Sequence, residues 1–288
     1  MIPLRKTLEA ERKRLQVPWN VLEQDYLLSW VLWGIHSVPE LKNSLVFKGG
    51  TSLKKSYFGE YRFSEDLDFS TLDGAPVWDE MESAIKQACT NAQEELEEHI
   101  PDPIITCERY EEKQPHPEKQ EAFTIKAQLP WHRAPQVRVM IEITHNETVV
   151  LPPIERPIIH NYSEEFTCSL LNYPLEEIIA EKLRAILQNI QKYHERGWTR
   201  SRARDYYDIW CILNHYRDEI NFALIPDTLK KKCIGKGISH QSYKDFFNPI
   251  IIDQVKKDWD TWLKPLISAL PACEIILDDL DQELAKII

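Results

Sequence analysis

Apolar and polar residues follow one another along the first half of the chain in patterns that predict both helices and strands. Apolar positions recur at helical spacing from Trp19 towards Pro39, and again from about Pro76 to His99. Residues 45–47 are continuously apolar, which indicates a short buried strand. Further strands are predicted at 104–107, 123–127 and 137–144, and the polar insert at 111–121 predicts an exposed loop or hairpin.

The pattern changes to a helical one in the second half of the chain. Prolines 152, 153 and 157 mark a linker, and from Tyr173 onwards the apolar positions recur every three to four residues. Later helices are predicted at 258–266 and 274–287, with Pro226, Pro249, Pro265 and Pro271 interrupting them. We therefore predict an α+β core with its N-terminal helices over residues 1–155, followed by a mainly helical domain over 156–288.

Composition and charge narrow the class of protein. The chain has 288 residues, of which 43% are hydrophobic, so it can bury a normal core. A net charge of −11 argues against a protein that coats nucleic acid with its whole surface, so any such contact must be local. Six scattered cysteines without a Cys-x-x-Cys pair argue against a zinc knuckle. Because no apolar run approaches about 20 residues and no signal peptide is evident, we expect a cytoplasmic protein that does not bind membranes.

The most informative stretch directly follows the first predicted strand. It reads Gly49-Gly50-Thr51-Ser52, in which the glycines allow close approach of a ligand to the main chain and the hydroxyl residues are able to cap a helix. Backbone N–H groups at a helix N-terminus attract phosphate, so this turn predicts a phosphate cradle. Asp66 and Asp68 lie two apart in an extended segment and should project from the same face. Two neighbouring carboxylates are suitable ligands for Mg²⁺ or Mn²⁺.

Several other residues could take part in the same chemistry. Glu142 is the acid in the second half of the strand at 137–144. It is either a solvent-facing residue or, as a resemblance to nucleotidyltransferases of the DNA polymerase β type implies, a third metal ligand beside the aspartates. Lys182 falls among the apolar positions of a helix, so it either extends to solvent or meets an anion, for which a triphosphate would serve. Asp205 and Asp208 are three residues apart and share one helical face.

A basic stretch of this acidic chain suggests a contact with RNA. Residues 182–204 contain a single acidic residue, Glu195, and seven basic ones. The basic residues are Lys182, Arg184, Lys192, Arg196, Arg200, Arg202 and Arg204. Arg196, Arg200 and Arg202 could contact the phosphates of a polyanion, and Trp198 could stack on a base. The alternative is a solvated basic loop after a helix.

Two blocks of the sequence resemble a known family. Residues 47–70 and 173–210 are similar in order and spacing to the AbiEii/AbiGii toxins, which include the MenT toxins and belong to the DNA polymerase β-like nucleotidyltransferase superfamily. The resemblance implies a mixed sheet with flanking helices followed by a helical region. It also implies that Asp66 and Asp68 bind metal, Ser64 helps to hold the nucleotide, Lys182 contacts phosphate and Asp205 completes the active site. Asp208 would orient its neighbours.

The function that this resemblance implies is metal-dependent transfer of a nucleotide by a toxin of a toxin–antitoxin or phage-defence system. An NTP would be the donor, an RNA such as the 3′ end of tRNA the acceptor, and an AbiEi-type antitoxin the partner of a monomeric toxin. Three alternatives remain open from the sequence: a small-molecule nucleotidyltransferase of the antibiotic-modifying type, a kinase-like enzyme acting on a protein, and a binding module without activity.

Overall fold

The computed structural model describes residues 4–110, 120–267 and 269–288. The loop or hairpin predicted at 111–121 falls almost wholly outside these residues. The chain divides into two compact units. The first comprises the described part of Met1–Val149 together with Pro153–Asn172, and the second comprises Val150–Pro152 with Tyr173–Ile288.

In its described residues, the first unit is built around a sheet of seven strands in the order β3-β4-β5-β2-β1-β7-β6. The strands are β1 Leu45–Lys48, β2 Asp66–Thr71, β3 Ile104–Arg109, β4 Gln120–Gln128, β5 Val137–Thr144, β6 Ile154–Pro157 and β7 Ser169–Asn172. The pairs β1–β7 and β2–β5 are parallel, whereas the other four pairs are antiparallel. The sheet is therefore mixed, as the family resemblance implies.

Helices flank this sheet. They are α1 Leu4–Leu15, α2 Trp19–Ser37, α3 Pro39–Ser44, α4 Gly49–Ser52, which continues into a π-helix at Leu53–Phe58, and α5 Asp79–Glu97. Helix α2 is buried nearly all round, as expected for a helix that packs against both β5 and α5. Close packing of α2 on α5 depends on Gly34, since a Cβ there would lie 2.2 Å from the carbonyl oxygen of Ala88.

The first unit extends beyond the predicted boundary at residue 155. The sequence predicts a linker at prolines 152, 153 and 157 and a helical domain from residue 156, but the segment 153–172 contains β6 and β7. Strand β7 pairs with β1, and β6 pairs with β7 at the edge of the sheet. Backbone pairing with β1 is the physical reason why this segment belongs to the sheet.

The second unit is helical in its described residues. Its helices are α6 Leu175–Arg196, α7 Ala203–His215, α8 Ile225–Ile234, α9 Pro249–Leu263 and α10 Cys273–Ile287, with 3-10 turns at Arg217–Glu219, Phe222–Leu224, Tyr243–Phe247 and Lys264–Leu266. The prediction that Pro226 and Pro249 interrupt helices was wrong, because both lie in the first turn of a helix. Proline is well tolerated there, since the first N–H groups of a helix have no intrahelical partner.

The six cysteines are free thiols, and five of them are buried. No helix in the described ranges combines the length and the apolar character that crossing a bilayer requires.

Candidate active site

The two aspartates of the Asp-x-Asp motif lie on one face of β2. Asp66 opens the strand and is exposed, Asp68 is half-buried, and the intervening Leu67 is fully buried on the opposite face. This alternation is the two-residue period of a strand, so both carboxylates project in the same direction. The sequence-based expectation for the geometry of this pair therefore holds in the structure.

The glycine turn lies directly against this acidic face. Gly49 has a φ of +78°, and a Cβ at this position would stand 2.4 Å from Oδ2 of Asp68. At Gly50, a Cβ would stand 2.3 Å from an Nη atom of Arg62, whose side chain is buried. The absence of side chains at both glycines thus leaves room for a carboxylate on one side of the turn and a guanidinium on the other.

The hydroxyl groups of the turn have other roles than predicted. The expectation that Thr51 or Ser52 caps a helix was wrong, because helix α4 already begins at Gly49 and has no side-chain cap. Both residues are fully buried. Thr51 Oγ1 donates to the carbonyl oxygen of Asp66 at 2.5 Å, and Ser52 Oγ donates to Oδ1 of Asn172 at 3.0 Å. These bonds fasten the turn to β2 and β7. Any contact of Thr51 or Ser52 with phosphate would then come from their backbone N–H groups.

Glu142 lies beside Asp68 in the sheet. The parallel pairing of β2 with β5 sets Asp68 opposite Glu142, so their side chains share a face. Oε2 of Glu142 accepts a hydrogen bond from Nε2 of Gln120 at 2.6 Å. Among the described residues no group of three or more His, Cys, Asp or Glu is arranged to hold a metal ion. The role of Glu142 as a third ligand stays a prediction.

The Asp66–Asp68 pair nevertheless has the chemistry that a hard divalent cation requires. Mg²⁺ is commonly held by one or two carboxylates together with water and the phosphates of a substrate, so a cage made only of protein groups is not needed. Ser64, which is half-buried, leads into β2 two residues before Asp66. The residues of the first unit that could hold a cation and a nucleotide are therefore concentrated between 49 and 68.

The second unit contains a buried cluster of charges between α6 and α7. The Nζ of Lys182 lies 3.2 Å from Oδ1 of Asp205 and 2.5 Å from Oδ2 of Asp208. The side chain of Asp208 is fully buried, whereas Asp205 is 16% exposed and also accepts from Arg202 at 3.2 Å. The sequence left open whether Lys182 extends to solvent or meets an anion, and within this unit it meets two carboxylates.

The basic stretch separates into buried and exposed parts. Lys182 and Arg184 are buried, and Arg184 pairs with Glu181. By contrast, Arg196, Trp198 and Arg200 are exposed, with 62% of Trp198 accessible. Arg202 is half-buried because it pairs with Asp205. The part of the stretch that is available to a polyanion is thus the end of α6 and the loop that follows it.

Hydrogen bonds hold this loop to helices α6 and α9. Asn189 of α6 donates from Nδ2 to the carbonyl oxygen of Arg200 at 2.9 Å and accepts from the hydroxyl of Thr199. Gln254 of α9 donates to the carbonyl oxygen of Thr199 at 3.0 Å. The loop is therefore held by its backbone, while the side chains of Trp198 and Arg200 are exposed.

No role was predicted from the sequence for four further residues around the acidic face. They are Lys48, Arg62, Glu147 and Asn172. Arg62 and Asn172 contact the glycine turn as described above, and Lys48 pairs with Glu147 close to Asp68. Lys48 could have been noticed as the residue that joins the strand to the glycine pair. Glu147 and Asn172 carry no such signal, because they are about 100 and 120 residues away from their partners along the chain.

Comparisons with known proteins agree with this architecture. Residues 30–286 match the family model described as nucleotidyl transferase AbiEii toxin, type IV toxin–antitoxin system. Among solved structures, MenT4, a nucleotidyltransferase toxin from Mycobacterium tuberculosis H37Rv, is similar with a TM-score of 0.58 at 17% identity, over 93% of this chain and 82% of that one. No curated protein sequence matches the chain.

The structural similarity confirms the predicted fold class, a mixed sheet with flanking helices followed by a helical region. The family match covers both predicted motif blocks completely. The chain belongs to the AbiEii nucleotidyltransferase toxin family of type IV toxin–antitoxin systems.

Proposed function

We propose that this toxin transfers a nucleoside monophosphate from an NTP to an RNA acceptor, with the 3′ end of tRNA as the favoured acceptor, and that the transfer depends on Mg²⁺ or Mn²⁺. The observation that carries the proposal is the contact between the glycine turn and strand β2, which bears Asp66 and Asp68. Gly49 adjoins the Asp68 carboxylate, and Asp66 projects from the same face. A cation held by the aspartates would therefore lie beside backbone N–H groups suited to a phosphate.

Each residue of the turn and strand has a role that follows from its chemistry. Asp66 and Asp68 hold the divalent cation, with Glu142 as a further carboxylate beside them. The backbone N–H groups from Gly49 to Ser52 and the hydroxyl of Ser64 bind phosphate oxygens of the NTP. When bound, the cation supplies charge neutralisation and orientation of the phosphate oxygens. Without such positioning, the negatively charged triphosphate would repel an attacking RNA hydroxyl.

We assign to Lys182 and Asp205 the roles that the family resemblance implies. Lys182 neutralises the charge that develops on the leaving pyrophosphate, and Asp205 positions or deprotonates the acceptor hydroxyl. Asp208 is fully buried against Lys182, which supports a role in orienting the lysine. The exposed residues Arg196, Arg200 and Trp198 support binding of RNA, with Arg202 next to them.

The cellular setting follows from the same proposal. An enzyme that uses NTPs and tRNA would act in the cytoplasm, as a monomer restrained by an AbiEi-type antitoxin. Because type IV systems pair a toxin with an antitoxin, the family match supports a partner of this kind.

A direct test is the transfer reaction of an Asp66→Ala variant with α-labelled NTPs and total tRNA. Alanine preserves the backbone carbonyl that accepts from Thr51, and Asp66 is exposed, so the fold should be retained. Loss of a cation ligand is expected to reduce the rate by about 1,000-fold, equivalent to several kcal/mol. Asp73→Ala, which changes an exposed aspartate after β2, serves as the matched control and should label RNA normally.

The same assay, repeated with γ-labelled NTPs and with an aminoglycoside or a protein as acceptor, distinguishes the alternative functions. Retention of α-label on RNA supports nucleotidyl transfer, whereas γ-label on a protein would indicate a kinase-like enzyme. Label on an aminoglycoside but not on RNA would indicate a small-molecule acceptor. Undiminished labelling of RNA by the Asp66→Ala variant would refute the assignment of the acidic pair.

A further inference from the structure

Lys48 lies in the same row of the sheet as two of the proposed metal ligands, Asp68 and Glu142. The pairing of β1 with β2 sets Lys48 opposite Asp68, and the pairing of β2 with β5 sets Asp68 opposite Glu142. Side chains that are opposite each other on neighbouring strands share a face, with Cβ atoms typically about 4.5–5.5 Å apart. A lysine thus stands next to Asp68 on the acidic face, immediately before the glycine turn.

The ammonium group of Lys48 is held by Glu147, in the segment that follows β5. Its Nζ forms an ion pair with Oε2 of Glu147, and Ser70 Oγ donates to the same oxygen at 3.0 Å. Only 12% of the lysine side chain and 5% of the glutamate side chain are exposed. A chain of contacts therefore connects Glu147, through Lys48, to the position beside Asp68.

Stability alone gives no strong reason for this arrangement. A buried ion pair must overcome the loss of hydration of both charges, and apolar residues of similar size often stabilise a protein as well or better. The charges do have a clear electrostatic consequence, however. A positive charge beside the acidic face weakens binding of a cation and strengthens binding of a triphosphate, and a neighbouring carboxylate reduces both effects.

We propose that Lys48 and Glu147 are positioning residues of the nucleotidyl-transfer reaction: their ion pair keeps a compensated positive charge beside Asp68 and so sets the balance between cation and triphosphate binding. The inference rests on the proposed function of the acidic face. It adds two residues to that site and states what each charge does there.

Glu147→Gln is the decisive variant, because the amide oxygen can still accept from Ser70 and Lys48 while the negative charge is lost. Binding is measured without turnover, by the electron paramagnetic resonance signal of free Mn²⁺ and by calorimetry of ATP binding in the absence of divalent cations. The uncompensated lysine should weaken Mn²⁺ binding and tighten ATP binding, each by several-fold and on the order of tenfold at most. Lys48→Met, which removes the positive charge, should instead tighten Mn²⁺ binding and weaken ATP binding.

Two controls separate this electrostatic role from a merely structural one. The double variant Lys48→Met/Glu147→Gln restores the net charge and should return both affinities to within about twofold of wild type, since the two charges then cancel. Lys55→Met breaks another buried pair of the same unit, in which Nζ of Lys55 lies 2.8 Å from Asp25. It should lower the melting temperature without moving the two affinities in opposite directions.

The outcomes also distinguish this inference from the proposed function. If Glu147→Gln leaves both affinities unchanged or weakens both, the role of the pair is structural and the inference fails, although the proposed function stands. If wild type does not bind Mn²⁺, or binds it as tightly as the Asp66→Ala variant does, the acidic face is not a cation site and the proposed function itself fails.

Discussion

Gly49 is required for two reasons, its backbone conformation and its closeness to the Asp68 carboxylate. Its φ of +78° lies in the left-handed region, and its missing side chain leaves room for the Asp68 carboxylate. A Gly49→Ala variant should lose about 1–2 kcal/mol of stability because an L-residue is strained at this φ. It should also lose nucleotidyl transfer, since the new Cβ must displace Asp68. Thermal unfolding and the labelling assay measure the two effects.

Gly74→Ala is the control for backbone strain. Gly74 has a φ of +84°, but no heavy atom of the described residues lies within 4 Å of a Cβ built there. This variant should lose a similar amount of stability and keep full transfer activity. If Gly49→Ala were equally active, close contact between the turn and Asp68 could not be important for the reaction.

For single residues, the sequence predicts the direction in which a side chain projects better than it predicts the residues that the side chain contacts. The two-residue period of a strand was sufficient to orient Asp66 and Asp68 together, because that period is a local property of the backbone. The buried bonds of Thr51 and Ser52 could not be predicted. The partner of Ser52 is Asn172, which is 120 residues away and reaches the turn only because β7 pairs with β1.

Helices α6 and α7 are joined by the buried cluster of Lys182, Asp205 and Asp208, and the two aspartates should respond differently to mutation. Asp208→Ala removes a fully buried partner of Lys182, so it should destabilise the second unit by about 3–5 kcal/mol. Asp205→Ala should cost much less stability, because its carboxylate is partly exposed and Lys182 keeps Asp208. It should nevertheless abolish transfer. Urea unfolding and the labelling assay test this distinction.

The opposite result would reassign the two aspartates. If Asp208→Ala folded normally and lost only activity, Asp208 would be the reacting group and Asp205 would orient the lysine. The two variants differ by one helical turn on the same face, so each serves as the matched control of the other.

At the element scale, the strongly patterned segments were predicted and the weakly patterned ones were not. Strands β3, β4 and β5 and helix α5 carry clear periodicity. Strand β6 has four residues that are exposed or half-exposed and ends in Pro157, so its sequence resembles that of a linker. It is a strand because it pairs with β7 at the sheet edge, where a proline is tolerated.

The first unit carries a network of charges around Glu121 that should govern its stability in acid. Oxygens of Glu121 accept from His145 at 2.7 Å, from Arg109 at 2.6 Å and from the backbone N–H of Trp78 at 3.0 Å. Burial opposes ionisation of Glu121, but these hydrogen bonds outweigh it, so the pKa is lowered from its ordinary 4.5. The network connects β3, β4 and the segments that border β5 and α5.

A lowered pKa in the folded state means that the unfolded chain binds the proton at a higher pH. The stabilisation from ionised Glu121 is therefore complete well above pH 4.5 and is lost as pH falls through the folded pKa. Glu121→Gln should be less stable at neutral pH by about 1.5–3 kcal/mol, because charge-assisted hydrogen bonds are lost. Its melting temperature should then fall less steeply below pH 4.5 than that of wild type.

Glu108→Gln provides the comparison within the same sheet. Glu108 pairs with Lys126 at 2.8 Å, but its side chain is 65% exposed, so the solvent screens this interaction. Its acid profile should match that of wild type. A Glu121→Gln profile parallel to wild type would show that this network does not determine acid stability.

Over the complete chain, the class of fold, the family and the central motif can be predicted from the sequence alone. Periodicity, the glycine pair and the spacing of the aspartates are all encoded within about 25 neighbouring residues or fewer, where local backbone geometry dominates. The side chains that surround this motif are known only from the folded structure. Lys48–Glu147, Ser52–Asn172 and Asp68–Glu142 are brought together by strand pairing. Register depends on the packing of the complete sheet, so a local pattern cannot specify such pairs.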